Sequence, residues 1–109
     1  MGPRRPDPEG PDVEFAGEVW LHPGEAGWHF ITLPPDLADL IDEEVGERAG
    51  FGSIPVEVTI GASTWRTSLF PDRGAASFIL PVKKAVRDAE GLEAGRVARV
   101  RLRHDTSRK

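Results

Sequence analysis

Apolar residues recur along this chain at two spacings, every second residue and every third or fourth, and the switches between them mark the elements. Over residues 13–21, Val13, Phe15, Gly17, Val19 and Leu21 alternate with Glu14, Glu18 and Trp20. That is a strand with one face in a core and one wet, and it leaves Trp20 half exposed. His22-Pro23-Gly24-Glu25-Ala26-Gly27 is turn chemistry, with proline presetting φ and two glycines open to positive φ. Residues 28–33 form a second strand antiparallel to the first, in which Trp28 alternates with Phe30 and is placed in or over the core. Pro34-Pro35 ends that strand and opens a helix, since a first turn tolerates proline. Over about residues 35–47, Leu37, Leu40, Ile41 and Val45 form one apolar stripe, and Asp42, Glu43, Glu44 and Glu47 follow on the polar side. Asp36 and Asp39 occupy the first turns, where the macrodipole favours negative charge.

The central stretch, residues 50–87, carries the densest pattern. Val56, Val58 and Ile60 alternate with Glu57 and Thr59, Gly61 turns the chain, and Trp65, Thr67 and Leu69 alternate with Thr64, Arg66 and Ser68. Pro71-Asp72-Arg73-Gly74 reads as a turn, and residues 76–80 as a strand whose ladder Pro81 breaks. Val82, Ala85, Val86 and Ala89 mark one face of a short helix, with Gly91 as its C′ residue and Leu92 folding back onto it. After Gly95 comes a last strand, residues 96–104. It offers Val97 or Ala98, Val100 and Leu102 to the core, with Arg99, Arg101 and Arg103 opposite. Six strands, two short helices and closely spaced turns predict an all-β protein, a small six-stranded barrel.

At 109 residues the chain holds one modest core. Residues 1–12 contain four of its ten prolines and no large apolar side chain after Met1, so a disordered tail is expected there. The barrel domain is assigned to residues 13–104 and a polar C-terminal tail to residues 105–109. Arg4 and Arg5 are followed by no apolar segment, so no secretory signal is read, and Pro6 stands where a myristoylation motif needs Ser or Thr. No apolar run is long enough to cross a bilayer as a helix. The chain has no cysteine, which removes disulfides, thiol nucleophiles and thiolate metal sites and suits a cytoplasmic protein. Heavy use of Arg, Ala, Gly, Pro and Glu suits a bacterial genome rich in G and C.

One phrase is repeated. Phe30-Ile31-Thr32-Leu33-Pro34 leads into a helix, Phe78-Ile79-Leu80-Pro81 leads into another, and each helix is followed by glycine and a valine-rich strand. Two such halves predict a double-split barrel with pseudo-two-fold symmetry, folded as a monomer; closure removes exposed strand edges. The second half, from Leu80-Pro81-Val82-Lys83-Lys84-Ala85-Val86-Arg87 through Gly91-Leu92-Glu93-Ala94-Gly95, resembles the swapped-hairpin domain of AbrB/MazE-type regulators and antitoxins. Gly52-Ser53-Ile54-Pro55-Val56, Thr59-Ile60-Gly61 and Trp65-Arg66-Thr67-Ser68-Leu69-Phe70-Pro71 extend the likeness over about residues 13–104. Together these motifs resemble more closely a bacterial and archaeal family of unknown function, single-chain double-split barrels sometimes fused to a bacteriocin-protection (YdeI/OmpD-associated) domain. That family brings no catalytic residues with it. The chain departs from the regulators in having Arg96 where their Gly-Asp turn is acidic, and in holding both barrel halves where they dimerise.

The net charge of −4 conceals an asymmetry. Residues 1–82 carry 5 basic and 14 acidic side chains, a net −9, whereas residues 83–109 carry 9 and 4, a net +5. Pairing of the two parts within the fold, or plain solvation of both, accounts for this more simply than an anionic partner does. The acidic helix reads as a solvated face and not as paired catalytic carboxylates. His22, His29 and His104 lack ligand spacing, and no Gly-x-Ser-x-Gly elbow surrounds Ser68. Gly-Phe-Gly-Ser at residues 50–53 lacks the Lys-Ser/Thr ending of a phosphate loop.

Two candidate sites remain. The first is the row Thr64, Arg66 and Ser68 with neighbouring Trp65. If that row faces a cleft, the guanidinium offers an anion fork and the serine a hydroxyl; if it faces solvent, it is a wet sheet face. The second is the basic set Lys83, Lys84 and Arg87 with Arg99, Arg101 and Arg103, which serves nucleic acid only as one continuous patch. The expectation is a non-enzymatic binding module without cofactor or metal, for a small anionic ligand or a protein partner. The alternative is an AbrB-like nucleic-acid-binding regulator.

Overall fold

The computed structural model describes residues 12–24, 27–39, 52–72 and 77–105. In chain order these form β1 (Val13–Leu21), β2 (His29–Thr32), a helical segment α1 over residues 35–39, β3 (Ile54–Ile60), β4 (Ser63–Asp72), β5 (Ser77–Pro81), α2 (Lys84–Glu90) and β6 (Val97–His104). The expected stripe residues Leu40, Ile41 and Val45 and the acidic positions 42–47 lie outside the described residues, as do Arg73 and Gly74. No helix among the described residues is long and apolar enough to cross a membrane.

The strands close into an antiparallel barrel in the order β1-β2-β5-β4-β3-β6. Two long strands make this possible. β1 pairs with β6 over residues 13–18 and with β2 over residues 19–21. β4 pairs with β3 over residues 63–69 and with β5 over residues 70–72. The β2–β5 and β3–β6 pairs complete the ring, so β1-β2-α1-β3 and β4-β5-α2-β6 are related by a pseudo-two-fold axis. The repeated Leu-Pro phrase in the sequence is this double-split repeat.

The core follows the alternation. Ile54, Val56, Val58 and Ile60 of β3 are all buried, as are Ala98, Val100 and Leu102 of β6. Full burial of each Val, Leu or Ile contributes about 1.5–3 kcal/mol. Val82, Val86 and Leu92 seat α2 on this core, and Gly91 ends the helix in the left-handed region at φ 67°. The amide of Leu92 donates to the Arg87 carbonyl at 2.9 Å, the fold-back expected after a glycine cap.

The structure corrects several details: Leu21, read onto the core face of β1, is 51% exposed, and Pro81, read as breaking the ladder, stays in β5 in register with Phe30. In β2 the core residues are Ile31 and then Leu33, while Trp28 is 56% exposed and Phe30 half-buried. Phe30 and Ile31 are apolar at both parities, so alternation alone leaves the face open; the register Val19↔Ile31↔Leu80 settles it. Gly17 also makes room there, since a Cβ on it would stand 2.5 Å from Ile31 Cγ2. Ala85 and Ala89 of α2 are exposed, and the helix is held through Val82 and Val86 instead. Pro71 and Asp72 extend β4, pairing with Phe78 and Ser77. Asp105, placed by its polarity in the C-terminal tail, is buried, and its amide donates to the Pro55 carbonyl at 2.9 Å.

Candidate functional site: a basic and aromatic groove beside β4

The splitting of the barrel creates the site. After residues 70–72 of β4 pair with β5, the two strands part. The β4 edge over residues 63–69 therefore has β3 on one side and, among the described residues, no strand on the other. α2 packs beside that opening. Ser63 Oγ donates to Glu90 Oε2 at 2.7 Å and pins the end of the helix to β4. Gly61 turns at φ 59° under the Glu90 carboxylate, where a side chain would collide with it. On the third side, the Val82 amide donates to the His29 carbonyl at 2.9 Å, which draws Trp28 and His29 to the start of α2.

Between these walls lies an open groove of about 450 Å³. Four cations line it: Arg66 from β4, and Lys83, Lys84 and Arg87 at α2. The aromatic rings of Trp28, Trp65 and Phe70 and the imidazole of His29 share the lining, and among the described residues no carboxylate belongs to it. Arg66 and Trp65 both take part because the groove follows the strand's edge and so meets side chains of both faces.

The cations differ in their engagement. Arg66 Nε lies 3.6 Å from Asp105 Oδ2, and its side chain remains 58% exposed. Lys84 Nζ donates to Asp88 Oδ2 at 2.9 Å across one helical turn. Arg87 Nε donates to the Val82 carbonyl at 3.1 Å, leaving its terminal nitrogens to other acceptors. Lys83 is exposed and makes no ion pair among the described residues. The hydrogen bond from Lys84 holds the Asp88 carboxyl below the usual aspartate range, and the charges of Lys84 and Arg87 act the same way. His29 Nδ1 is 2.8 Å from the Gly27 carbonyl, which points Nε2 away from that contact.

The family of domain of unknown function DUF1905 matches residues 15–102, from β1 through the body of β6. The chain belongs to the DUF1905 family. A comparison with curated proteins returns no match.

Within this DUF1905 domain the two sets of site residues singled out in the sequence are divided. The groove gathers Trp65 and Arg66 from the first with Lys83, Lys84 and Arg87 from the second. Thr64 and Ser68 are outside its lining. Thr64 Oγ1 shares a 3.0 Å hydrogen bond with Thr59 Oγ1, and Ser68 stands half-buried across from Pro55. The β6 arginines belong to a different surface. Register places Glu57 between Arg66 and Arg103, and Arg103 Nε donates to Asp12 Oδ1 at 3.0 Å. One strand-step along, Arg101 Nε lies 3.3 Å from Glu14 Oε2, while Arg99 stands exposed opposite Ala16. The arginine strand is thus interleaved with carboxylates and forms no patch continuous with α2. Among the described residues no group of three His, Asp or Glu side chains is gathered as a metal site.

Trp28, His29 and Phe70 are the groove residues that residue patterns missed. One signal pointed to Trp28. The repeated phrase implies that β2 and β5 pair antiparallel across the pseudo-two-fold, which sets the residues before β2 beside those after β5.

Proposed function

We propose that this DUF1905 domain is a non-enzymatic binding module whose groove takes a small anionic ligand. One observation carries the reading: four cations from two elements line a single groove that among the described residues includes no carboxylate, in a chain whose net charge is −4. Such a concentration of like charge is tolerated on a surface because water screens it, and an anion that enters gains from all four at once. Hydrogen bonds to charged groups contribute about 1.5–3 kcal/mol each, against which stands the cost of immobilising the ligand. The lining supplies cations, rings and the Thr67 hydroxyl, a set suited to holding an anion. An acidic segment of a protein partner meets the same chemistry. The absence of cysteine suits work in the cytoplasm.

The test is calorimetric titration with inorganic pyrophosphate at low and high salt. Binding is expected to weaken as salt rises, and to be lost in Lys83→Glu/Arg87→Glu while the fold persists by circular dichroism. Equal binding by that variant overturns the groove as the site. Turnover of a generic substrate that Arg66→Ala abolishes without unfolding the protein overturns the non-enzymatic reading.

A second reading, nucleic-acid binding of the AbrB type, draws support from the side-by-side placement of Lys83, Lys84 and Arg87 on α2. The neutralising ladder on β6 takes Arg101 and Arg103 away from it. It predicts duplex binding that falls steeply with salt through the α2 cations alone.

A further inference from the structure

We infer that the groove's ligand is a nucleotide: its phosphates are held by the cations, and its base is stacked on the exposed indole of Trp28. The inference rests on the anion-binding reading above and names the ligand's other half. Among the described residues Trp28 is the most exposed of the Trp and Phe side chains, at 56%. A large ring left in water forgoes the free energy of burial, and it is informative when it borders a charged cleft.

The ring is also held in place. Trp28 runs parallel to Phe30 as the next ring in a row, with ring centroids 6.1 Å apart and planes inclined by 9°, an offset arrangement. Phe30 packs in turn on Trp20 at 5.3 Å, and Trp20 Nε1 donates to Thr32 Oγ1 at 2.9 Å. The Trp28 indole is therefore the end of an ordered aromatic row, and it stays more than half exposed where it borders the groove. Little ordering entropy remains to be lost when a planar ligand stacks there.

The flanking charge is close at hand. The bond from the Val82 amide to the His29 carbonyl sets residue 28 beside residue 83, so a base on Trp28 has Lys83, Lys84 and Arg87 within its own phosphates' reach. The volume, about 450 Å³, lies in the range of small-molecule sites and exceeds what a lone phosphate ion fills. Rings alone fit any apolar ligand and cations alone fit any anion; together they select a phosphate joined to a flat heterocycle. That chemistry has two sources, a free nucleotide or a nucleotide of a single strand, for which a basic groove with stacking rings is also suited.

The experiment compares ADP, ribose 5-phosphate, inorganic pyrophosphate and a ten-residue single-stranded oligonucleotide on the full chain, by calorimetry and tryptophan fluorescence. ADP is expected to bind more tightly than pyrophosphate and ribose 5-phosphate, with quenching of the Trp28 emission. Trp28→Ala is expected to weaken ADP by about 5- to 100-fold, the usual value of base stacking, and pyrophosphate far less. Trp28→Phe should restore part of the loss. Oligonucleotide binding tighter than ADP, with the same Trp28 dependence, supports the inference with the strand as source; weaker binding supports it with the free nucleotide. Pyrophosphate binding as tight as ADP, or indifference of ADP to Trp28→Ala, overturns the nucleotide inference and leaves the anion groove standing. Failure of all four probes to bind overturns both. Because Trp28 is outside the core, circular dichroism of the variants should match the parent.

Discussion

Arg66 Nε stands 3.6 Å from Oδ2 of Asp105, and of the two side chains only the carboxylate is buried: Arg66 is 58% exposed, Asp105 3%. The contact joins β4 to the residue that follows β6, so a groove cation is also part of what receives the end of the barrel. Removing Arg66 leaves a buried carboxylate with less compensation. Arg66→Ala is expected to lower unfolding free energy by roughly 1–3 kcal/mol, the usual cost of a buried polar group losing a partner. Urea denaturation reads this directly. Arg66→Lys should recover part of it, and an unchanged midpoint in Arg66→Ala would show that the contact carries no stability.

Lys84 and Asp88 give the groove a pH response. The Asp88 carboxyl is lowered in the folded state by the Lys84 hydrogen bond, so its contribution to stability is present at neutral pH and lost as pH falls through that depressed value, below the usual aspartate range. The pair is exposed, and the loss should be small beside general acid unfolding. Its larger effect is on charge. Asp88→Asn removes a negative charge beside the groove and should tighten pyrophosphate binding by up to about 5-fold at low salt, the value of one unit charge at contact in water. Titration of the variant at low and high salt checks both the sign and its screening.

Gly17 is expected to resist substitution although it lies in a strand. A Cβ there meets Ile31 Cγ2 at 2.5 Å and Phe15 Cε2 at 3.1 Å, and Ile31 is fully buried with no space to retreat. Gly17→Ala should destabilise the barrel by about 1–3 kcal/mol through overpacking. Thermal unfolding should show a fall of roughly 4–8 °C per kcal/mol for a domain of this size. Gly17→Ala/Ile31→Leu, which removes the β-branch carbon Cγ2 that the new methyl would meet at nearly constant volume, should recover part of the loss.

The two basic surfaces are separable by charge. Arg99→Gln/Arg101→Gln/Arg103→Gln removes the ladder on β6 and should leave pyrophosphate affinity nearly unchanged, apart from long-range screening-dependent effects. Lys83→Gln/Lys84→Gln/Arg87→Gln removes the same amount of charge and should abolish binding. Equal losses in both variants would mean that net charge, and not the groove, sets the affinity.

How much of this was legible in the sequence depends on how many parities a segment permits. β3 reads correctly because Val56, Val58 and Ile60 leave one face possible, and β6 from residue 99 on because Arg99, Arg101 and Arg103 alternate with Val100 and Leu102. β2 does not, since Phe30 and Ile31 compete and only the neighbouring strands choose. The repeated Leu-Pro phrase exposed the two-fold plan because each copy marks the same strand-to-helix exit. The groove was half visible: residue types identified Trp65, Arg66, Lys83, Lys84 and Arg87, but assigned them to two sites. Their meeting depends on where β4 leaves β5, a matter of register that no local pattern encodes. Asp105 was misplaced for a similar reason, because a polar residue next to a chain end reads as solvated unless its buried contacts are known.

The two halves of the barrel share a plan but not a chemistry. Where α2 opens with Lys83 and Lys84, the two-fold-related α1 carries Asp36 and Asp39, both exposed. A duplicated architecture with oppositely signed helices is an electric dipole built on a symmetric frame. If the α2 groove takes anions as proposed, a polyanion would be drawn to the α2 side and repelled from Asp36 and Asp39, and so would arrive oriented before any contact forms. The backbone repeats itself, and the sign of the charge it carries does not.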